Sequence, residues 1–297
     1  MHEVQLKYKI IKKIGESRKR KFNEVFLVEN KITQEKAILK HLTKNQFNRN
    51  ISDRLRIESD FDFQHQGLPS TLDYYENENE IFLIRSYQSG KTLDKYLTGY
   101  RGKRKAEKLL GVLKKIDPIL TFLHKQLIYH LDIKPTNILV DEFQDEVNVS
   151  LIDFGLAINK NLEKERKILF PLGFAAPELI LNKLELVDNR TDYFALSITC
   201  WSCLQGRMPL SHANPSVTTN LQLTHPLPAL DFPFTKLSKP LQKLGAKHVF
   251  LQPPNLLSNS ELEEQLSEGM NERYNDLTEF IYDFENAVRK TRKYWFI

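Results

Sequence analysis

Up to about residue 85 the apolar positions fall in short runs, at 9–14, 24–29, 36–41 and 80–84, divided by clusters of Gly, Asn, Lys and Glu. Such runs predict β-strands. One stretch among them, 49–63, reads as a helix. From about 90 the period changes. Helical spacing runs through 105–124, 191–204 and 261–292, and 129–160 reads as short strands and turns. The segment 207–258 holds Pro209, Pro215, Pro226, Pro228, Pro233, Pro240, Pro253 and Pro254, so irregular structure is expected there. There is no internal repeat or low-complexity tract. The pattern predicts an α+β chain in two lobes: a small strand-rich unit at 1–85, a connection at 86–89, and a larger, mainly helical unit at 90–297.

Composition changes this picture little. A chain of 297 residues with 41% hydrophobic and 27% charged positions can bury a sizeable core. The net charge of +5 suits an anionic ligand such as a nucleotide without demanding one. Basic residues cluster at 18–21, 101–105 and 289–293, and read as solvated loops or helix ends. Without an aromatic-studded repeat or a zinc pattern, nucleic-acid binding is not expected. Cys200 and Cys203 form a CxxC pair inside an apolar run of helical character, with no second Cys/His pair at metal spacing. They read as buried thiols rather than a redox or zinc site, which fits a reducing cytoplasm. The first residues carry no apolar leader and no stretch is long enough to span a bilayer, so a soluble, cytoplasmic chain is expected. Nothing in the sequence indicates an oligomeric state.

Candidate chemistry concentrates at 129–140. Transfer of a phosphoryl group needs an acceptor for the attacking hydroxyl's proton, a cation for the phosphate and an oxygen ligand for Mg²⁺. Asp132, Lys134 and Asn137 supply these within six residues. Downstream, two apolar residues deliver Asp153 onto a turn ended by Gly155, where a carboxylate can chelate Mg²⁺. Gly173 to Glu178 and Asp192 follow, then Arg273; upstream lies Lys40, closing the run 36–40. The order and spacing of these segments resemble the eukaryotic-like (Hanks-type) protein kinases over about residues 8–285. The catalytic loop, the D-F-G turn, the A-P-E boundary and the V-A-I-K strand are all represented. Lys two residues after the catalytic Asp is the serine/threonine form.

The resemblance implies a bilobal kinase fold, ATP and Mg²⁺ as cofactors, and a protein substrate that the sequence does not name. Lys40 would contact the α- and β-phosphates and pair with Glu58. Asp132 would be the base, with Lys134 beside it, and Asn137 and Asp153 the metal ligands. Gly15 would begin the glycine-rich loop. Val25 and Ala37 would roof the adenine pocket and Leu139 floor it, with the backbone of Ser86 to Gln88 as the hinge. Arg273 would pair with Glu178.

Departures from the family pattern matter as much. Only Gly15 remains of G-x-G-x-x-G, with Ser17 and Asn23 in place of later glycines and about three extra residues around the basic run 18–21. Leu131 replaces the Arg of H-R-D, the non-RD form. Pro171 stands where the family has a Thr. Arg85 falls either at the gatekeeper position or one residue off it. Glu58 lies unusually close to 65–69, with Asp62 where an apolar residue is expected, so Lys40 paired differently is the alternative. The stretch 156–175 contains no Ser, Thr or Tyr. Its Leu162, Ile168, Leu169 and Phe170 are expected to pack, and Glu163 to Lys167 to pair across it. Three functions remain open at this point: an active serine/threonine protein kinase, a pseudokinase acting as a binding module, and a kinase-like enzyme for a small molecule.

Overall fold

The computed structural model describes residues 2–15, 24–144, 146–162 and 169–291. The chain divides into two compact units, Met1–Ser89 with Ser150–Leu156, and Gly90–Val149 with Ala157–Ile297.

In the first unit a short helix α1 (His2–Lys7) leads into strands β1 (Tyr8–Lys13), β2 (Glu24–Asn30) and β3 (Lys36–Thr43). Helix α2 (Arg49–Asp60) follows, then β4 (Thr71–Glu76) and β5 (Glu80–Ser86). The strands form one antiparallel sheet in the order β1-β2-β3-β5-β4. Alternation sorts its side chains to two faces. Val28, Ala37, Leu39, Phe82 and Ile84 gather with Val4 of α1 and Tyr8. Leu42, Ile81 and Leu83 gather with Leu55 of α2. Lys40, opposite Val25 and Leu83, belongs to the α2 face. Helix α2 turns Ser52, Leu55 and Glu58 inward at helical spacing. It ends at Asp60 rather than at 63. β4 is the strand that the periodicity missed, because none of its residues is fully buried.

The second unit begins with β6 (Lys91–Thr92), α3 (Leu93–Thr98), α4 (Gly102–Lys125) and β7 (Ile128–Tyr129). β8 (Ile138–Phe143), β9 (Glu146–Leu151), β10 (Ile158–Asn159), α5 (Pro177–Ile180) and α6 (Asn189–Gln205) come next. β6-β8-β9 make a small sheet, and β10 pairs with β7. Helix α6 is buried on all sides, as an apolar helix without a polar face must be. Asp188 and Thr191 close its N-terminus with reciprocal hydrogen bonds, and Gly206 ends it in the left-handed conformation at φ 73°. Cys200 and Cys203 are free and buried in it.

Two expectations for this unit need correction. The proline-rich segment is not irregular throughout: it contains α7 (Pro215–Thr224) and α8 (Ser238–Leu244). Pro215 starts α7 behind the cap Asn214, the one helical position where a missing N–H costs nothing. The span 261–292 is two helices, α9 (Asn259–Asn271) and α10 (Leu277–Arg289). The break holds Arg273 and Tyr274, both buried, and Asp276 caps the next helix by accepting from the Thr278 N–H.

Candidate active site

In the first unit, β3 and α2 bring together two of the residues picked from the sequence. Lys40 Nζ lies 2.5 Å from Glu58 Oε2 and 3.1 Å from Asp153 Oδ1. Burial would lower the Lys40 ammonium, but the charges of Asp153 and Glu58 outweigh it and raise its pKa, so it is a fixed cation. Asp153 holds a left-handed backbone, φ 71°, and Arg54 Nη2 is 3.8 Å from its other oxygen. A Cβ on Gly155 would come within 3.1–3.2 Å of Arg54, which is why the turn closes on Gly. Phe154 is fully buried, its ring 5.7 Å from Phe61 and 4.7 Å from Phe63. These two rings supply the apolar contact expected at position 62. Asp62 lies past the end of α2 and is exposed.

In the second unit, the loop after β7 carries Asp132, Lys134 and Asn137. Lys134 Nζ donates to both Asp132 carboxylate oxygens at 2.8 Å. Asn137 Nδ2 donates to the Asp132 carbonyl at 2.8 Å and to Oδ2 at 3.1 Å. That use of the amide nitrogen leaves an oxygen, Oδ1, as the group a hard cation takes. The loop is braced from α6. Asp192 accepts from the His130 and Leu131 N–H groups at 3.0 and 2.9 Å, and from the His124 ring at 2.9 Å. Thr199 Oγ1 donates to the Ile133 carbonyl at 3.3 Å. Leu131 is buried with φ 57°, a strained conformation for a leucine that the Asp192 contact pins. His124 and Thr199 escaped the sequence reading because each acts on backbone atoms or on another side chain, at separations no local motif records.

The later part of the segment after Asp153 is anchored in the same unit. Arg273 forms a bidentate pair with Glu178 at 2.6 and 3.0 Å, and Thr191 Oγ1 donates to the same carboxylate at 2.9 Å. Burial alone would raise the Glu178 carboxyl, but the Arg273 charge and hydrogen bonds hold it below the usual range. Gln222 of α7, also buried, accepts from the Gly173 N–H at 3.1 Å and donates to the Ala175 carbonyl at 3.3 Å. Among the described residues the packing expected of the earlier part is not there. Leu162 and Leu169 are exposed and Phe170 half-buried, while Glu163, Lys164, Glu165, Arg166, Lys167 and Ile168 lie outside the described residues.

Among the described residues no three His, Cys, Asp or Glu side chains form a metal cage. Asp153 and Asn137 are hard oxygen donors of the kind Mg²⁺ takes one or two at a time, completing its shell with phosphate and water. Residues 8–275 match the model of the protein kinase domain. The chain belongs to the protein kinase family. Its relatives place this kinase on the Hanks-type serine/threonine branch. Aurora kinase C of Mus musculus is 26% identical over 201 residues, 67% of this chain and 71% of its own length. Serine/threonine-protein kinase PknF of Mycobacterium tuberculosis is 29% identical over 187 residues, 61% of this chain and 36% of its own. Serine/threonine-protein kinase PrkC of Bacillus subtilis is 26% identical over 211 residues, 68% of this chain and 31% of its own. The chain thus spans about a third of the length of the two bacterial kinases.

The remaining expected nucleotide contacts of the kinase divide. Val25 is buried on the Lys40 face of the sheet. Ala37 is not on that face: it lies three positions before Lys40, an odd offset, so alternation turns it toward Tyr8 and Val28. The residue that shares the Lys40 face is Ile38, half-buried and opposite Leu27. Gly15 is described at φ 84°, and the Ile14 N–H donates to the Val25 carbonyl at 2.7 Å beside it. Ser17, Asn23 and the basic run 18–21 lie outside the described residues. The Ser86 N–H donates to the Ser70 carbonyl at 2.9 Å, so that backbone donor is already committed. Gln88 is half-buried, its side chain accepting from Ser150 Oγ at 2.9 Å. Leu139 is half-buried on β8, opposite Thr92. Among the described residues no helix is long and apolar enough to cross a membrane.

Proposed function

We propose that this chain transfers the γ-phosphoryl group of ATP to serine or threonine hydroxyls of protein substrates. Asp153 and Asn137 would each offer Mg²⁺ an oxygen ligand, and the metal would neutralise charge on the phosphates. The observation that carries the reading is the Asp132 carboxylate clasped by Lys134 at 2.8 Å. A module that only binds nucleotide has no use for a proton acceptor and a cation set side by side. In this reading Asp132 accepts the hydroxyl proton and Lys134 steadies the transferring phosphoryl group. Lys40, kept cationic by its two carboxylates, holds the α- and β-phosphates. Val25 and Ile38 would offer adenine apolar contact in the first unit, Leu139 would do so from the second, and Ser86 and Gln88 would meet its edge with a backbone carbonyl and amide. The Glu178–Arg273 pair and Gln222 shape the segment that receives a polypeptide, which favours a protein acceptor over a small molecule.

We further propose that phosphorylation of the activation segment does not switch the enzyme. Residues 156–175 offer no hydroxyl. The guanidinium that would receive a phosphate is replaced by Leu131, which is buried. The primary test is incubation with labelled ATP, Mg²⁺ and generic protein acceptors beside Asp132→Asn. Label on protein from the parent alone supports the reading; nucleotide binding without transfer would make this a pseudokinase, and label only on a small acceptor would reassign the substrate.

A further inference from the structure

Arg85 is 2% exposed, on the face of β5 that also carries Ile81 and Leu83. That row is otherwise apolar, and a buried guanidinium is costly unless its N–H groups are satisfied. The sheet register puts Arg85 opposite Ile38 on one side and Thr71 on the other, two residues along the strand from the partner of Lys40. Its Nε meets no acceptor among the described residues, and the hydrogen bonds of its two Nη groups run to the end of α2 and the chain beyond. Nη1 donates to the Glu58 carbonyl at 3.0 Å, to the Phe61 carbonyl at 2.5 Å and to Thr71 Oγ1; Nη2 donates to the Pro69 carbonyl at 2.6 Å. Thr71 Oγ1 reaches the Ser59 and Phe61 carbonyls, each at 3.1 Å. The acceptors are carbonyl and hydroxyl oxygens, and two are the carbonyls of Glu58 in the last turn of α2 and of its C-cap Phe61, where partial negative charge gathers.

Glu58 is therefore held twice. Its backbone carbonyl is fastened to β5 by Arg85, and its carboxylate is fastened to β3 by Lys40, whose Nζ lies 2.5 Å from Oε2. A flat fork that reaches several acceptors at once is suited to this, and an ammonium is not.

We infer that Arg85 is a positioning residue that clamps the C-terminal turn of α2 to the sheet and so keeps the Lys40–Glu58 pair assembled without an outside signal. Arg85 acts through Glu58 and needs no contact with substrate. The inference rests on the kinase reading for its catalytic consequence, but the clamp itself can be tested apart from it.

The experiment uses the full chain with Arg85→Met, Arg85→Lys, Glu58→Gln and the Arg85→Met/Glu58→Gln double variant. Hydrogen exchange is followed at the amides of 57–61 and at those of α6 as an internal reference. kcat and KM for ATP are measured with a generic protein acceptor. Arg85→Met should speed exchange at 57–61 at least tenfold, leave α6 within twofold and lower kcat at least tenfold. Arg85→Lys should fall between it and the parent on both readouts. In the Glu58→Gln background Arg85→Met should cost less than a further twofold in kcat, because the pair it serves is already gone. Unchanged exchange at 57–61, or kcat losses that multiply in full, would overturn the inference. Should Arg85→Met fail to fold, Arg85→Lys decides by the same two readouts. A parent without transferase activity would refute the functional reading alone, and exchange would still decide the clamp.

Discussion

Leu131 and Asp153 both hold a left-handed backbone, at φ 57° and 71°, a conformation costing on the order of 1–3 kcal/mol for residues with a Cβ. Strain of that size persists where neighbours over-determine the chain, and both residues adjoin proposed reacting groups. Asp132→Asn and Asp153→Asn should each abolish phosphoryl transfer with circular dichroism and melting behaviour kept; turnover near the parent rate in either would refute its assigned role. Lys40→Met should follow, with loss mainly in kcat. The sequence singles out these positions because each sits in a run of a few residues whose chemistry is local. Ala37 was misplaced for an equally local reason, since its motif was matched by residue type while the pleat counts parity. A residue outside the chemistry gives a pH test. Burial, then the Arg273 charge, pushes Lys247 down to about 7. Between that value and the unfolded 10.5 the unfolded chain binds the extra proton, so stability must rise with pH over this window. Urea midpoints should climb from pH 7 to 9 in the parent, with a shallower slope in Lys247→Met.

Elements were read well where burial is one-sided and poorly where tertiary contacts decide. The strands β1, β2, β3 and β5 and the helices α4 and α6 lie within a few residues of their expected bounds. The break between α9 and α10 was not legible, because apolar spacing continues across it while Arg273 turns inward to Glu178. Arg273→Ala leaves a fully buried carboxylate without its partner and should cost about 3–5 kcal/mol in urea unfolding; a loss below about 1 kcal/mol would mean the pair is not structural. The Arg273 pair holds the Glu178 pKa in the folded state below its ordinary 4.5. The pair's stabilisation is therefore present above that value and lost as pH falls through the folded pKa, so Arg273→Ala should also flatten the acid limb of the stability curve. Gln222 was equally invisible, lying 49 residues from Gly173 with no motif of its own. Gln222→Leu should raise KM for the protein acceptor severalfold and leave KM for ATP within twofold; equal changes in both would make Gln222 a general stabiliser.

At the scale of the whole molecule, one test concerns the basic run 18–21, which lies outside the described residues, and the net charge of +5. If the run aids nucleotide binding, replacing all four basic residues with Ser should raise KM for ATP, more at low salt than at high, because salt screens charge over a Debye length of about 8–10 Å; an unchanged KM would remove the run from nucleotide binding. The two-unit organisation was visible from the change of period near residue 90, but the attachment of Ser150–Leu156 to the first unit was not. That attachment is made by contacts such as Leu151 N–H to the Gly67 carbonyl at 2.9 Å, which sequence separation hides. The hold on Gly173 and Ala175 has one more consequence. Gln222 grips both with uncharged amide hydrogen bonds, where a phosphate anchor would rely on full charges. Uncharged bonds feel ionic strength little, and no opposing enzyme can erase them. Protein-acceptor KM should hardly change between low and high salt, and phosphatase treatment should leave activity intact. Output from such an enzyme would scale with its copy number and lifetime in the cell, so that synthesis and proteolysis become the dial.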